Sequence, residues 1–213
     1  MQAYIVRDLR PDWPILWLTS PNAPEQQKAI LQGQGLSADL LPMDRRLTFY
    51  RDGVREGLQI VLPDDEIETL RRGVYYALRK AEEVGWKKVQ IRWIEPPQPT
   101  DRPYAYQSLG ELALMSLYRF TKYLVEPIPS VEEMAIFAPE SESEKFLEKG
   151  LTIGRVVNRT RDWVNEPPNV MTAVALAEHI QALGEAYNFR VEIWDKARIE
   201  AEKMGGILAV NRG

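Results

Sequence analysis

Along this chain, runs of four or five apolar, β-favouring residues are separated by longer segments whose apolar residues recur at steps of three and four. That change of period restricts the fold more than any other feature, because period-two runs form strands and the longer spacing forms amphipathic helices. Tyr4-Ile5-Val6 and Ile15-Leu16-Trp17-Leu18 read as short strands among Pro11, Pro14 and Pro21. Leu47 to Tyr50 and Leu58 to Leu62 flank Asp52-Gly53 and Gly57, which suggests a hairpin with a loop longer than two residues. Ile67, Leu70, Val74, Leu78 and Ala81 then mark a helix, with Asp64 or Asp65 expected to cap its first turn and Gly85 to end it.

Val89 to Trp93 alternates as a strand, and Pro96-Pro97-Gln98-Pro99 forces a loop. A helix is expected over 106–123, a strand at Met134-Ala135-Ile136-Phe137 after Pro127 and Pro129, and a third long helix over 141–165. The last segment reads as helix 172–187, strand 191–194, helix 196–204 and strand 207–210. Strands separated by helices pair in parallel, so the expected class is α/β. The run 207–210 is apolar enough to be buried on both faces of a parallel sheet, yet only three residues follow it. Either the tail strands join the sheet of the first half or the chain is cut while a second domain is still being assembled; the expectation taken is the cut, with exposed apolar surface near its end.

Composition narrows the function classes. The chain has 213 residues, no cysteine and one histidine, and a formal net charge of -4. Disulfides, thiolate zinc sites and a cysteine nucleophile are excluded. A large basic face for nucleic acid is disfavoured, and the Arg71-Arg72, Arg79-Lys80 and Lys87-Lys88 pairs alternate with Glu66, Glu68, Glu82 and Glu83 as on a solvated, charge-paired helix. No apolar run is long enough for a membrane span and the N-terminus lacks a signal-peptide pattern, so a cytoplasmic protein is expected.

Three blocks carry a family resemblance. Arg161-Asp162-Trp163-Val164-Asn165-Glu166-Pro167-Pro168-Asn169-Val170-Met171-Thr172, with Leu176-Ala177 after it, resembles the segment that opens the catalytic domain of leucyl aminopeptidases. Met204-Gly205-Gly206-Ile207-Leu208-Ala209-Val210-Asn211-Arg212-Gly213 is similar to that family's Met-Gly-Gly strand entry ending in Gly-Arg-Gly. Gly110-Glu111 with Tyr118-Arg119-Phe120 and Tyr123 resembles the last helix of its N-terminal domain. The resemblance covers about residues 65–213; Thr172-Ala173 departs from the usual Thr-Pro helix start, and Asn211 stands where glycine is usual.

What the resemblance implies is a three-layer, macro-like α/β N-terminal domain over 1–140, a linker helix over 141–164, and the first βα elements of a second α/β domain, the peptidase domain, over 165–213. The family implies cytoplasmic hexamers that release N-terminal residues from peptides, using two divalent metals, manganese or zinc. Its ligands lie on segments such as Asn-Thr-Asp-Ala-Glu-Gly-Arg, which this sequence lacks. No catalytic, cofactor-binding or metal-ligating residue is therefore assigned, no cofactor is expected in this chain, and activity of the chain alone is not expected.

The remaining residues admit plainer readings. His179, the single histidine, sits on an expected helix as a boundary side chain, since one imidazole is a poor zinc site. Asp64-Asp65-Glu66, Glu132-Glu133 and Glu140, Glu142, Glu144 read as helix-start and solvent-facing acids. Gly33-Gln34-Gly35 and Gly150 to Gly154 lack the strand-loop-helix context of a phosphate cradle. Asn165 to Asn169 reads as a junction between helices, or as a functional loop held by its prolines. The tryptophans at 13, 17, 86, 93, 163 and 194 are scattered as core or interface anchors. Beside the peptidase fragment with a scaffolding role, two alternatives stand: a macro-like module binding a nucleotide, ADP-ribose or a protein partner, and a free-standing interaction protein.

Overall fold

The computed structural model describes residues 1–53, 55–99, 101–126 and 128–210. The chain forms two compact units, Met1–Arg161 and Asp162–Gly213. In the first, β1 (Gln2–Val6), β2 (Ile15–Thr19), β3 (Leu47–Asp52), β4 (Arg55–Val61), β5 (Lys88–Ile94) and β6 (Glu133–Phe137) make one sheet in the order β1-β6-β5-β2-β4-β3. All neighbours run parallel except the β3–β4 hairpin. The strands expected from 4–6, 15–18, 47–50, 58–62, 89–93 and 134–137 are all present.

Alternation along β2 explains the layering. Leu16 and Leu18 point into the larger core with α2 (Ile67–Val84), α3 (Arg102–Met115) and α4 (Ser141–Asn165), whereas Ile15 and Trp17 point into a second core under α1 (Pro24–Gly33). Three layers result, helices on both faces of a mostly parallel sheet. Gly85 ends α2 at φ 87°, a left-handed conformation that costs glycine little. Neither Asp64 nor Asp65 occupies the α2 N-cap, which falls on Glu66; Asp64 instead accepts from the Glu66 N–H at 3.0 Å and from the Thr69 hydroxyl, which holds its carboxyl below the usual range.

The third helix differs from the expected 106–123. It begins at Arg102 because Asp101 caps it, accepting from the Tyr104 N–H at 3.0 Å, and Pro103 suits its first turn. It stops at Met115, beyond which Arg119 turns to pair with Glu82 of α2 at 2.7 Å. The α1 helix has no counterpart in the sequence reading: its glutamines dilute the apolar pattern, and one of them, Gln27, is buried and bonded to Gln59 and to the Leu41 carbonyl.

The second unit holds α5 (Ala173–Tyr187), α6 (Lys196–Ala201) and α7 (Gly205–Val210) after the last residues of α4. Thr172 caps α5 through the Ala175 N–H at 3.2 Å. The strands expected at 191–194 and 207–210 are not formed: the first segment is irregular and the second lies within α7. A strand needs a neighbour to satisfy its N–H and C=O groups, and no strand exists among the described residues of this unit; a helical turn satisfies them internally. The Asn211-Arg212-Gly213 end of the expected strand entry lies outside the described residues.

Candidate functional site

In an open parallel sheet, ligands are taken at the carboxyl ends of the strands, where connections diverge to opposite sides. Here β2 lies between β4 and β5, and beyond their carboxyl ends lies a small crevice open to solvent. Leu62, Ile67, Leu70, Trp93, Pro96 and Ala105 line it, and Asp65 and Glu66 stand at its rim. Asn22, just after β2, donates to Asp65 Oδ2 at 2.8 Å, and the other oxygen, Asp65 Oδ1, is shielded from solvent without a partner. The carboxylates among its lining residues oppose a phosphate there.

Next to the crevice a second polar constellation closes on itself. Glu95, following β5, receives both Nε (2.6 Å) and one terminal nitrogen (3.1 Å) of Arg102, together with the Tyr106 hydroxyl. The other terminal nitrogen of Arg102 reaches Glu140 at 2.5 Å. Burial, then the bond to Glu95, pushes the Tyr106 phenol far above its usual range, and the carboxylates hold Arg102 charged. This arrangement ties the loop after β5, the start of α3 and the entry to α4 into one clamp. It offers neither a free base nor an activated nucleophile.

Three more of the acidic residues singled out in the sequence are ion-paired. Glu132 meets Lys87 at 3.1 Å, Glu133 meets Lys88 at 2.6 Å, and Glu144 meets Arg7 at 2.8 Å. The basic pairs of α2 are matched in the same way, Arg71 with Glu111, Arg79 with Glu82 and Lys80 with Glu83. Among the described residues no group of three or more His, Asp or Glu is placed to hold a metal ion. No helix among them is long and apolar enough to cross a membrane.

The glycine segments are structural. Gly33 closes α1 and Gly35 follows it at φ 65°, while Gly150 and Gly154 lie within α4. In the second unit His179 stacks on Trp163, ring centroids 5.6 Å apart and 15° between planes. Asn165 ends α4, Glu166 N–H donates to the Asp162 carbonyl, and the N–H groups of Val170 and Met171 both donate to the Pro167 carbonyl at 2.9 Å. The Asn165 to Thr172 block is thus a compact turn that ends one helix and caps the next. Neither Asn22 with Asp65 nor the Glu95, Arg102 and Tyr106 clamp was read from the sequence; Asp101 followed by Pro103, a cap and a first-turn proline, is the signal that could have placed the start of α3.

Comparison with known proteins extends these observations. Residues 158–213 match the family described as "Cytosol aminopeptidase family, catalytic domain". A "Probable cytosol aminopeptidase" of Sulfurihydrogenibium sp. is 31% identical over 153 residues, 70% of this chain and 30% of that protein. Proteins of the same description from Chloroherpeton thalassium and Bacillus subtilis are 41% identical over 92 residues and 34% identical over 126. They are covered to 18% and 24% of their lengths, and this chain to 41% and 56% of its own. Among solved structures, a mutant of tomato leucine aminopeptidase superposes with a TM-score of 0.71 at 12% identity, covering 95% of this chain and 46% of that one. The bottromycin maturation enzyme BotP in complex with Mn gives 0.68 at 16%, covering 90% and 40%. These superpositions show a shared fold, and the chain spans less than a third of the curated relatives it matches.

Proposed function

We propose that this chain, which belongs to the leucyl aminopeptidase family, is the N-terminal domain and the opening of the catalytic domain of a dinuclear-metal enzyme that releases N-terminal amino acids from peptides. The observation that carries this reading is the agreement in position between the family match, which begins at residue 158, and the second compact unit, which begins at Asp162. In this reading residues 1–140 form the macro-like domain, 141–164 the linker helix, and 165–213 the start of the peptidase domain. Its setting is the cytoplasm and its substrates are peptides.

The described residues do not fit a dinuclear site. Among them no carboxylates gather as a ligand set, and Glu95, Glu133 and Glu140 are engaged with arginine or lysine, so no step of hydrolysis is assigned to them. The role proposed for this chain is scaffolding: a rigid three-layer domain whose paired charges and clamps present subunit-contacting surfaces, with the manganese or zinc pair belonging to the longer protein. Intact mass of the protein purified from its source, followed by release of leucine from a peptide with added manganese or zinc, tests the reading. The expected result is a mass well above 24.5 kDa with metal-dependent release. A mass of 24.5 kDa without hydrolysis would overturn it.

A further inference from the structure

The outer side of β1 is an unused sheet edge. Its inner side pairs with β6 from Gln2 to Val6, and among the described residues no strand pairs with it on the other side. The Gln2 N–H donates to the Glu132 carbonyl at 2.8 Å, and the Val6 carbonyl accepts from the Ala138 N–H at 2.9 Å. Residues of a parallel strand alternate in the side to which they turn their N–H and C=O groups, so the even-numbered residues face β6 and Ala3 and Ile5 face outward. Edge strands are ordinarily blunted by charge, proline or a bulge. From Gln2 to Val6 the strand has neither charge nor proline, and Tyr4, Ile5 and Val6 all favour extended structure. The opposite edge, β3, by contrast carries Arg51 and Asp52.

We propose that β1 pairs antiparallel with β1 of a second copy of this chain about a two-fold axis through Tyr4. The strand is self-complementary in that register. Ala3 of one copy stands opposite Ile5 of the other; both turn their backbone groups outward, so each pairing exchanges two hydrogen bonds and the axis repeats it. Shifting the pairing by one residue sets outward groups against inward ones, and shifting it by two leaves one end of the strand without a partner. Tyr4 meets its own copy, Gln2 meets Val6, and no like charges are opposed within the strand. Arg7 is already held by Glu144 and Ser141, and with Asp8 it falls outside the paired residues. This pairing stands independently of the peptidase assignment.

The absence of cysteine makes the register directly testable. In such a narrow antiparallel pair the facing α-carbons are about 4.5 Å apart, within disulfide reach. Tyr4→Cys should oxidise to a covalent dimer. Gln2→Cys should not, because its two copies would sit about 13 Å apart along the strands, whereas a mixture of Gln2→Cys and Val6→Cys chains should. Sedimentation equilibrium of the parent chain should show a reversible dimer. Ala3→Pro, which removes only an outward N–H, should make it monomeric with an unchanged far-ultraviolet spectrum. A parent chain monomeric at every concentration, a dimer surviving Ala3→Pro, or Gln2→Cys cross-linking as readily as Tyr4→Cys would each overturn the proposal.

Discussion

Gly110 of α3 and Gly150 of α4 lie against one another with no side chain between the two helices. A Cβ on Gly110 would press on the Leu147 carbonyl and the Leu151 N–H, and one on Gly150 on the Gln107 carbonyl and the Glu111 N–H. Backbone cannot give way as a flexible side chain does, so Gly150→Ala is expected to destabilise the first unit by about 3 kcal/mol. Gly205, within α7 and with nothing near its Cβ position, supplies the control: Gly205→Ala should leave stability unchanged or slightly raised. Urea titrations of both variants measure the difference.

Glu82 joins α2 to the segment after α3. Burial favours its neutral form, but the hydrogen bond from Arg119 at 2.7 Å and the charge of Arg79 at 2.6 Å outweigh that and hold its carboxyl below the ordinary 4.5. A carboxyl depressed in the folded state contributes stability that is present above its unfolded value and lost as pH falls through the folded one. Melting temperature should therefore fall with acidification below about 4.5, and Glu82→Gln should flatten that part of the profile. Arg119→Ala should cost about 1–3 kcal/mol at neutral pH.

The contrast between the two units shows what the sequence can carry. In the first, each strand expected from apolar alternation is present, because neighbours in the sheet satisfy it, and α2 and α4 follow their periodicity. The α1 helix escaped notice because Gln27 is buried as an amide bonded to Gln59, a pairing across 32 positions that no local pattern records. The strands expected at 191–194 and 207–210 failed for the converse reason: their residues favour extended structure, but backbone pairing is a property of the neighbour. The crevice was illegible for the same cause, since Asn22 and Asp65 meet only after β2 and β4 are paired. What was legible of function came from the blocks around 161–172 and 204–213, read as resemblance, and most of that sequence lies in the unit with few buried side chains.

Metal should leave this chain indifferent. With no ligand cluster among the described residues, added manganese or zinc has nothing to bind selectively in the folded state, and mass action then predicts no stabilisation. Melting curves in millimolar manganese, in zinc and in chelator should superpose within about a degree. A rise of several degrees with either ion would reveal a site these residues do assemble.

The apolar surface of the second unit makes a prediction of its own. On α5 only Gly184 is buried, while Val174 is 68% and Tyr187 67% exposed, and Val210 of α7 is 85% exposed. Surface of this kind binds hydrophobic dyes. A fluorescent apolar probe should be enhanced by the parent chain, and Val174→Lys together with Tyr187→Lys should cut the enhancement by half or more without loss of helical signal. No change in probe binding would mean that these side chains are covered in solution.

Alkali should act through Tyr106. Its phenol is buried and donates to Glu95, so its folded value is raised far above the 10.0 of a free tyrosine. A group raised in the folded state contributes stability that is fully present below its unfolded value and is lost as pH climbs from there toward the folded one. Stability should thus decline above about pH 10, and ultraviolet titration should show Tyr106 resisting ionisation until the fold opens. Tyr106→Phe removes the titrating proton and should flatten the alkaline decline. It also takes one donor from Glu95, at a cost of about 1 kcal/mol at neutral pH, softened because Arg102 still binds that carboxylate through two nitrogens. Urea titrations of the parent and Tyr106→Phe chains at pH 7 and pH 11 separate the two effects, since only the alkaline one depends on the phenol's own ionisation.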